Sequence, residues 1–381
     1  EARIAETNPR PRVAIHLSTL AGHYGGAERV MLRLAEGLHA RGVQVELVLV
    51  GPGPPERSEL PERVPVVELR WPRRGFSSLP LLAGYLRRVR PDLLLTIMPP
   101  NNLVGLGARA LAGVRTRVIV QDVTAVTPWL AQHGPGRAPM LRWLMRRFYP
   151  QAAAVVVNAT GVARDLERAI GFPAARAHVV HISTVTPELL RRAHEPAVHP
   201  WLGPGAPPLV TSLGRLAPEK DYPTLLRAFA RVVAERDARL LILGEGPERP
   251  RLERLILDLG LADRAALAGF LPNPHAVIAA SSLFVLSSAF EGLPNTLIEA
   301  LACGTPVVAT DCDSGPREIL ADGAFGRLVP VGDERALAGA IVEALQAPVD
   351  REALRSRALE FSLERAVERY LDVMGLRAAS L

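Results

Sequence analysis

The chain has 381 residues, enough for two or three domains that each bury a core. Its composition, 48% hydrophobic and 22% charged, is typical of a globular protein, and the sequence contains no run of 18 apolar residues that would span a membrane. The two cysteines, Cys303 and Cys312, occur without CxxC or paired-histidine spacing. They therefore argue against a disulfide framework or a zinc site and fit a reducing cytoplasm.

Positive charge belongs to the first half of the chain. Residues 1–190 contain 24 arginines and 14 acidic residues, a net charge of +10, whereas the remainder carries −4. Such a half attracts nucleic acid, anionic lipid or a phosphorylated acceptor. No nucleic-acid motif is present and only 5% of the residues are aromatic, so we expect no nucleic-acid partner. Every basic residue but one is arginine, and that one, Lys220, is a candidate for a specific role.

Strands and helices alternate along the first half. Residues 13–17 predict a strand, Gly25 and Gly26 lie in a glycine loop that opens a helix to Ala40, and residues 43–50 predict the next strand. Further strands are expected near residues 92–98, 117–121 and 153–157. The alternation predicts a doubly wound parallel sheet. The glycine loop is not GxGxxG, and a tight turn needed only for packing explains it equally well.

A polar group follows the strand that ends near residue 121. Ligands of open α/β sheets bind at the carboxyl edge of the strands, which makes Asp122 a candidate catalytic residue. His133 lies nearby in a Gly/Pro-rich loop, and we interpret it as a solvated loop histidine.

A basic and aromatic segment spans residues 126–151. It combines Trp143 and other large apolar side chains with four arginines: Arg137, Arg142, Arg146 and Arg147. A basic amphipathic helix with aromatic anchors is typical of a membrane surface or a lipid acceptor site. A helix that packs between domains and leaves its arginines solvated fits the pattern equally well. Residues 71–76 form a second patch of similar composition.

The second domain begins after residues 188–208, which are rich in Pro, Gly and His and predict an interdomain linker. A strand over residues 209–213 leads into a loop with Arg215 and Lys220. Two cations at the carboxyl end of a strand can hold a diphosphate and offset the charge that develops as it leaves. Gly244 ends the next strand, where close approach to a ligand and a plain βα turn are equally good explanations.

The stretch 289–320, AFEGLPNTLIEALACGTPVVATDCDSGPREIL, organises the rest of this domain. Glycine and proline predict a turn, and Asn295 is the predicted N-cap of a helix over residues 296–302, which a short buried strand follows. Glu291 then lies in the loop ahead of the helix and Glu299 about one turn inside it. Both carboxylates therefore flank the helix N-terminus.

That helix N-terminus is a predicted anion site. Free backbone N–H groups of Asn295, Thr296 and Leu297, together with the helix dipole, favour a diphosphate. Carboxylates accept several hydrogen bonds each and suit the hydroxyls of a sugar or a ribose. The stretch therefore predicts a clamp for a nucleotide sugar.

The motif EGLPNTLIEALACGTPVVAT, from Glu291 to Thr310, resembles the paired-glutamate signature of the retaining GT-B glycosyltransferases, glycosyltransferase family 4 (group 1) in particular. GRLAPEKDYPTLLRAF, which begins at Gly214, is similar to the phosphate-binding segment of that family. The resemblance implies an α/β fold of two Rossmann-like domains that face each other across a cleft. It divides the chain into an acceptor-binding domain, a nucleotide-sugar domain and a last helix that crosses back to the first domain, over residues 1–190, 205–362 and 363–381.

The resemblance also implies roles for individual residues. Arg215 and Lys220 would neutralise the leaving diphosphate, Glu291 would orient the sugar hydroxyls, and Glu299 would hold the ribose. Further donor contacts are implied at Gly25, Gly26, Gly214, Gly244, Phe270, Leu271, Gly292, Leu293, Pro294, Asn295, Thr296 and Leu297. Many members of the family carry a histidine near Asp122, and this chain does not.

The implied reaction moves a hexose or N-acetylhexosamine from a nucleotide-diphosphate sugar to an acceptor hydroxyl with retention of configuration. UDP is expected because it is the commonest donor nucleotide among such sequences. No metal or cofactor is expected, since protein cations do the electrostatic work, and we interpret the DxD-like residues 311–313 as coincidence. The basic segment favours a lipid-linked saccharide acceptor in cell-surface glycan or lipopolysaccharide assembly. The protein would then be cytoplasmic and peripheral on an anionic membrane surface, the inner face of the cytoplasmic membrane.

Two other classes of protein remain open. A sugar-nucleotide epimerase of the same fold would convert the donor without any acceptor. A transferase-like binding protein without catalysis would bind a nucleotide sugar and never release the nucleoside diphosphate.

Overall fold

A computed structural model describes residues 11–17, 26–51, 60–69, 75–181 and 185–376. The chain divides into two compact units. The first unit comprises residues 1–158, 162–182 and 363–381, and the second comprises 159–161 and 183–362. Each unit is described below by itself.

The first unit alternates strands with helices, as the sequence predicts. Its elements, in chain order, are β1 (Arg12–Leu17), α1 (Gly26–Ala40), β2 (Gln44–Leu49), β3 (Val66–Glu68), α2 (Leu79–Val89), β4 (Leu93–Ile97), α3 (Pro99–Ala112), β5 (Arg117–Asp122), α4 (Val126–Ala131), α5 (Gly134–Phe148), β6 (Ala154–Val157), α6 (Thr160–Ile170) and β7 (Ala177–Val179). The seven strands form one parallel sheet in the order β3-β2-β1-β4-β5-β6-β7. The chain therefore reverses its direction of growth between β1 and β4.

The second unit repeats this architecture with six strands. Its elements are α7 (Pro187–Ala193), β8 (Leu209–Leu213), α8 (Tyr222–Glu235), β9 (Arg239–Leu243), α9 (Arg249–Asp258), β10 (Ala265–Gly269), α10 (Pro274–Ala280), β11 (Leu283–Leu286), α11 (Asn295–Ala302), β12 (Val307–Thr310), α12 (Pro316–Ile319), β13 (Arg327–Val329), α13 (Glu334–Ala344) and α14 (Arg351–Leu359). The parallel order is β10-β9-β8-β11-β12-β13, so the reversal falls between β8 and β11.

Strand composition explains why both sheets are parallel and covered. β4 and β12 are apolar without interruption apart from a threonine in each, and both are wholly buried. A strand that alternated polar with apolar residues would leave one face in water, whereas these strands need a helix layer on both faces. The helices themselves start at local signals: Asp221 caps α8 through the Thr224 N–H, and Asn273 caps α10 through the Ala276 N–H.

The last helix, α15 (Leu363–Met374), belongs to the first unit and packs against α1. Its buried face includes Val367, Tyr370 and Met374, which join the core cluster of β1, β2 and β4. Gly37 of α1 lets the two helices approach closely, because a Cβ there would lie 2.4 Å from Val367 Cγ2. The predicted return of the last helix to the N-terminal domain is thus made by close helix packing.

The segment 188–208, predicted to be a linker, contains part of a helix. Thr186 caps α7 through the Leu189 N–H, and Leu189 and Ala193 are buried. The helix packs against α10 inside the second unit. Its short length, in a segment dominated by Pro, Gly and His, explains why the composition did not reveal it.

Candidate active site

The reversal of strand order in the second unit marks a crevice at the carboxyl edge of the sheet. Adjacent strands β8 and β11 send their following loops in opposite directions there, and ligands of open α/β sheets bind at such points. The loop after β8 carries Lys220, and the loop after β11 carries Glu291. We call Lys220, Ser288, Glu291, Asn295 and Thr296 the α11 site.

Lys220 and Glu291, predicted separately as functional, are brought into direct contact. Lys220 Nζ lies 2.6 Å from Glu291 Oε1, and Ser288 Oγ donates to the same oxygen at 2.6 Å. The two charged side chains are 17% and 13% exposed. Within the described part of the chain, Oε2 has no partner, and only one donor position of the ammonium is used. The pair therefore retains capacity to bind a ligand.

Short hydrogen bonds between the two loops hold this pair in place. Ser287 Oγ donates to the Lys220 carbonyl at 2.8 Å, and the Ala289 N–H donates to the Glu219 carbonyl at 2.9 Å. Thr310 Oγ1, from the neighbouring strand β12, donates to the Ser288 carbonyl at 2.6 Å. The loops are thus fixed to each other and to the sheet, so the site is preorganised.

Arg215, within the described part of the chain, forms no ion pair with Glu291. Its side chain is 69% exposed, and its nearest acid is Glu219, at 3.9 Å. At such exposure this ion pair contributes little to stability. The structure therefore brings together only one of the two predicted diphosphate-binding cations with Glu291.

The start of α11 differs from the prediction. The N-cap position is occupied by Pro294, without a side-chain cap, and Asn295 is the first helical residue. The Leu297 N–H already donates to the Pro294 carbonyl at 3.0 Å, so it is not free for a ligand. Proline at the cap, with its fixed φ, closes this tight first turn.

Two backbone N–H groups remain at that helix start, those of Asn295 and Thr296, since the first N–H groups of a helix have no partner inside it. Among the described residues, Asn295 Oδ1 and Thr296 Oγ1 are buried there without a hydrogen-bond partner. Buried polar atoms are normally satisfied, so two unpartnered ones beside a helix N-terminus are suited to a polar ligand. The helix dipole favours an anionic one.

The Gly292–Pro294 turn is shaped by a neighbouring loop. Ser314 Oγ donates to the Gly292 carbonyl at 2.8 Å. Gly315 has φ +94°, and a Cβ there would lie 2.4 Å from Pro294 Cδ. Leu293, between Gly292 and Pro294 in the chain, is buried. The three turn residues predicted to contact the donor thus also set the entry of the chain into α11.

Glu299 has a partner that the sequence reasoning missed. His275 Nε2 lies 3.2 Å from Glu299 Oε2, and the two side chains are 17% and 11% exposed. His275 Nδ1 is buried and has no hydrogen-bond partner among the residues that the structure describes. The Asn273 cap places His275 in the first turn of α10, next to α11. One feature of the sequence could have indicated His275 as a site residue. It is a polar residue at the start of an otherwise apolar helix, a few residues beyond Phe270 and Leu271.

The predicted donor glycines have a packing role. A Cβ at Gly244, where φ is +132°, would lie 2.1 Å from the Gly214 carbonyl oxygen, and one at Gly214 would lie 2.9 Å from Tyr222 Oη. The Gly244 N–H donates to the Gly269 carbonyl at 2.8 Å. These contacts join the loops after β8, β9 and β10. Phe270, which follows, is exposed, while Leu271 is half-buried.

Asp122 does not face solvent. It is fully buried, Tyr149 Oη donates to its Oδ2 at 2.9 Å, and Asn102 Nδ2 donates to its Oδ1 at 3.0 Å. Burial raises the pKa of Asp122 to about 7, although the bonds from Tyr149 and Asn102 act in the opposite direction. This environment favours a structural role, and the predicted catalytic role of Asp122 gains no support from it.

The first sheet has other buried polar groups at its carboxyl edge. Neither ring nitrogen of His16 and neither amide atom of Gln121 has a hydrogen-bond partner in the part of the chain that the structure describes. Burial lowers the pKa of His16 to about 4, so its imidazole is neutral at pH 7. His16 could have been found in the sequence as a single polar residue near the end of an apolar strand.

Two other predictions of the first half are only partly covered by the structure. Gly25 lies outside the described residues, as do residues 71–74 of the second basic patch, and Gly26 is the first residue of α1.

Asp311, the first of the DxD-like residues, is engaged with a cation of the protein. Arg317 Nε donates to Asp311 Oδ1 at 3.1 Å. Across the described ranges, no group of three or more His, Cys, Asp or Glu side chains is placed to hold a metal ion.

Both cysteines are free and buried, and burial raises the pKa of each thiol to about 12. No helix among the described residues is both long and apolar enough to cross a membrane.

The two parallel-sheet Rossmann-like units define the GT-B class of glycosyltransferase folds. HepE of Anabaena, solved with UDP and glucose, has a TM-score of 0.76 with 20% identity over 96% of this chain and 100% of that one. The apo form of the lipopolysaccharide outer core galactosyltransferase WaaB has a TM-score of 0.73 with 18% identity over 96% and 99%. The predicted pair of Rossmann-like domains is confirmed.

The chain belongs to the group 1 glycosyltransferases. The family model for glycosyl transferases group 1 matches residues 199–361, and that for the glycosyl transferase 4-like domain matches residues 25–183. A GDP-mannose-dependent alpha-mannosyltransferase of Mycolicibacterium smegmatis is 30% identical over 87% of this chain and 88% of its own length.

Two further relatives come from glycan assembly. The N-acetylgalactosamine-N,N'-diacetylbacillosaminyl-diphospho-undecaprenol 4-alpha-N-acetylgalactosaminyltransferase of Campylobacter jejuni is 29% identical over 88% of this chain and 90% of its own. The lipopolysaccharide core biosynthesis glycosyltransferase LpsE of Rhizobium meliloti is 28% identical over 93% and 96%. The predicted activity is thus confirmed at the level of a glycosyltransferase.

Proposed function

We propose that this chain is a retaining, metal-independent glycosyltransferase of family 4 that moves a hexose or N-acetylhexosamine from a UDP-sugar to a lipid-linked saccharide. The α11 site is the observation that carries the proposal. It combines one ammonium, one carboxylate with a free oxygen and two free N–H groups at the crevice of the second sheet. The diphospho-undecaprenol in the name of the Campylobacter relative and the lipopolysaccharide core in that of the Rhizobium relative support a lipid-linked acceptor in cell-surface glycan assembly. In this proposal the protein acts at the inner face of the cytoplasmic membrane.

In this proposal the leaving diphosphate is stabilised by donors that are already in position. Negative charge grows on the diphosphate as the glycosidic bond breaks. In the proposed complex, the unused donors of Lys220 and the N–H groups of Asn295 and Thr296 stabilise that charge. Because these donors are held by the surrounding loops, little reorganisation is needed during the reaction. Protein cations thus do the work that a metal ion does in other transferases.

The two glutamates act on different parts of the donor. Glu291 Oε2 is free to accept a hydrogen bond from a sugar hydroxyl, while Oε1 is held by Lys220 and Ser288. Glu299, oriented by His275, accepts from the ribose hydroxyls. The acceptor oxygen bonds to the anomeric carbon on the face from which the diphosphate leaves, through an oxocarbenium-like state, so the configuration is retained. The bond between that carbon and the diphosphate oxygen breaks, and the proton of the acceptor hydroxyl passes to the leaving diphosphate.

Nucleotide binding is the first test. We expect UDP, but not GDP or ADP, to raise the melting temperature of the protein in EDTA, since a ligand at 100 times its dissociation constant adds about 2.7 kcal/mol of stability. Lys220→Ala should lose most of this shift. Arg231→Ala, which breaks an exposed ion pair with Glu334, is the matched control and should retain it. No shift with any of the three nucleotides would remove the support for the α11 site.

Product analysis is the second test. UDP-sugars are incubated with membrane lipid extract, UDP release is measured, and the anomeric configuration of the product is read by NMR. Transfer with inversion would contradict the proposal. Conversion of the donor without acceptor would indicate an epimerase, and UDP binding without UDP release would indicate a binding protein.

A further inference from the structure

Helix α5 has two apolar faces, of which only one is used for packing. Leu141 and Met145 are buried. On the opposite side, Met140 is 52% exposed and Trp143 is 63% exposed. Residues three apart on a helix are neighbours, so these two side chains form one apolar surface. We call Met140 and Trp143 the apolar centre of α5.

Arginines flank this centre on both sides. At 100° per residue, Arg142 and Arg146 lie on one side of Trp143, Arg137 lies beyond Met140 on the other side, and Arg147 lies between the two apolar residues. α5 contains four arginines and no acidic residue. Among the described residues, none of these four guanidinium groups lies within ion-pair distance of a carboxylate. The cations of α5 are therefore available to an external anion.

The neighbours of α5 supply no counter-charge. α3 and α4 pack most closely on it, and Arg109 is the only charged residue in either. Between Asp92 and Asp165 the only acidic residue is Asp122, which is buried and hydrogen-bonded. This part of the first unit therefore presents positive charge without compensation.

Arginines in the second unit behave differently, which shows that the abundance of arginine alone does not explain α5. On α9, Arg249 pairs with Glu245 and Glu253 at 2.7 and 2.9 Å, and Arg251 pairs with Glu248 at 2.8 Å. That helix also exposes a large apolar residue, Leu257, to 65%. α9 therefore offers a comparison with similar apolar exposure, in which two of three arginines are paired with carboxylates.

We propose that α5 docks the protein on an anionic phospholipid bilayer, with Trp143 and Met140 at the interface and the flanking arginines on headgroup phosphates. The proposal deepens the proposed function, on which it rests, since a lipid-linked acceptor requires approach to a bilayer. An exposed tryptophan between cations suits the boundary of headgroups and acyl chains. Nucleic acid is the less fitting polyanion, because one exposed indole beside a methionine offers no series of stacking rings.

The test is flotation of the full chain with vesicles at low salt. We expect binding to vesicles that contain phosphatidylglycerol and at least about tenfold weaker binding to pure phosphatidylcholine. Each arginine near an anionic surface contributes about 1 kcal/mol, or roughly fivefold, so Arg142→Gln with Arg146→Gln should weaken binding about 25-fold. Trp143→Ser should weaken it further and remove the blue shift of tryptophan emission on vesicles. Leu257→Ser, on α9, is the matched control and should bind like the wild type.

Several outcomes would overturn the proposal: no binding of the wild type, equal binding to both vesicle types, unchanged binding of the arginine variant, or binding to an RNA oligonucleotide in preference to vesicles. The UDP-induced rise in melting temperature, measured on the same samples, keeps the two proposals separate. A UDP response without vesicle binding rejects docking by α5 alone. Vesicle binding without a UDP response rejects the proposed function of the α11 site alone.

Discussion

At the carboxyl edge of the second sheet, the charged residues keep part of their hydrogen-bonding capacity, whereas at the edge of the first sheet Asp122 uses its capacity on the protein. Glu291 has a free oxygen and Lys220 free donor positions within the described structure, and both reach solvent. Asp122 accepts from Tyr149 and Asn102 and is fully buried. The carboxyl edge of the second sheet can therefore bind a polar ligand. The hydrogen bonds of Asp122 instead join β5, α3 and the end of α5 to one another.

The comparison shows that strand order alone does not make a site. Both sheets reverse their growth next to the first strand of the unit, and both have polar residues at the carboxyl edge. In the second unit the loops that follow the strands carry the charges out of the core. In the first unit His16, Gln121 and Asp122 lie within the strands themselves, where side chains face helix layers. The position of a polar residue relative to the strand end decides its role.

The largest effect on activity is expected for Lys220→Ala. Loss of one preorganised donor to a developing charge typically lowers kcat by about 10²–10³-fold, or roughly 2.7–4 kcal/mol. The variant also leaves Glu291 with Ser288 as its one remaining side-chain donor among the described residues. UDP release under saturating donor measures the effect, with Arg231→Ala as control. Turnover at the wild-type rate in Lys220→Ala would show that the α11 site of the second unit is no more catalytic than the Asp122 network.

A smaller effect is expected for Glu299→Gln. A hydrogen bond to a charged group contributes about 1.5–3 kcal/mol, so its loss should raise the Kd of UDP roughly 10- to 100-fold while kcat changes less. His275→Phe should give a part of the same effect, because His275 acts through Glu299. Isothermal titration with UDP measures both. An unchanged Kd in Glu299→Gln would place the ribose elsewhere.

The fold was largely predictable because its signals are local. Apolar runs, glycine loops and caps such as Asp221 specify each βα unit without reference to distant residues. The site was predictable in its residue types, because a motif fixes Lys220, Glu291 and Glu299 along the chain. The start of α11 was wrong by one residue, since proline can occupy the cap position that Asn295 was expected to fill.

Contacts across long sequence separations were not predictable. His275 and Glu299 are 24 residues apart, and Tyr149 and Asp122 are 27 apart. Sequence spacing does not tell whether a carboxylate at a strand end points outward or into the helix layer. Asp122 was therefore assigned by its place at the edge of the sheet. Its burial, which only the packing of α3 and α5 reveals, favours a structural role.

The smallest effect on activity is expected for Asp122→Asn, which tests this last point. Burial raises the pKa of Asp122 from 3.8 to about 7, so between these values the folded protein binds a proton that the unfolded chain does not. Stability contributed by this group is thus complete below about pH 4 and is lost as pH rises through about 7, with a slope of up to about 1.4 kcal/mol per pH unit. Asparagine keeps the acceptor for Tyr149 and carries no charge. Urea unfolding at pH 5, 6, 7 and 8 should therefore show a weaker decline in the variant, while turnover stays near that of the wild type.

An exposed carboxylate provides the control for this measurement. Asp258→Asn, at the end of α9, should leave the pH dependence of unfolding unchanged. A loss of turnover of about 100-fold in Asp122→Asn, with an unchanged pH profile of stability, would restore the catalytic role expected from the sequence. It would also mean that the first sheet opens to expose its edge during the reaction. Normal turnover in Asp122→Asn, with a weaker pH dependence of unfolding, would instead support a structural role for Asp122. The charged residues that act on the donor would then lie in the second unit.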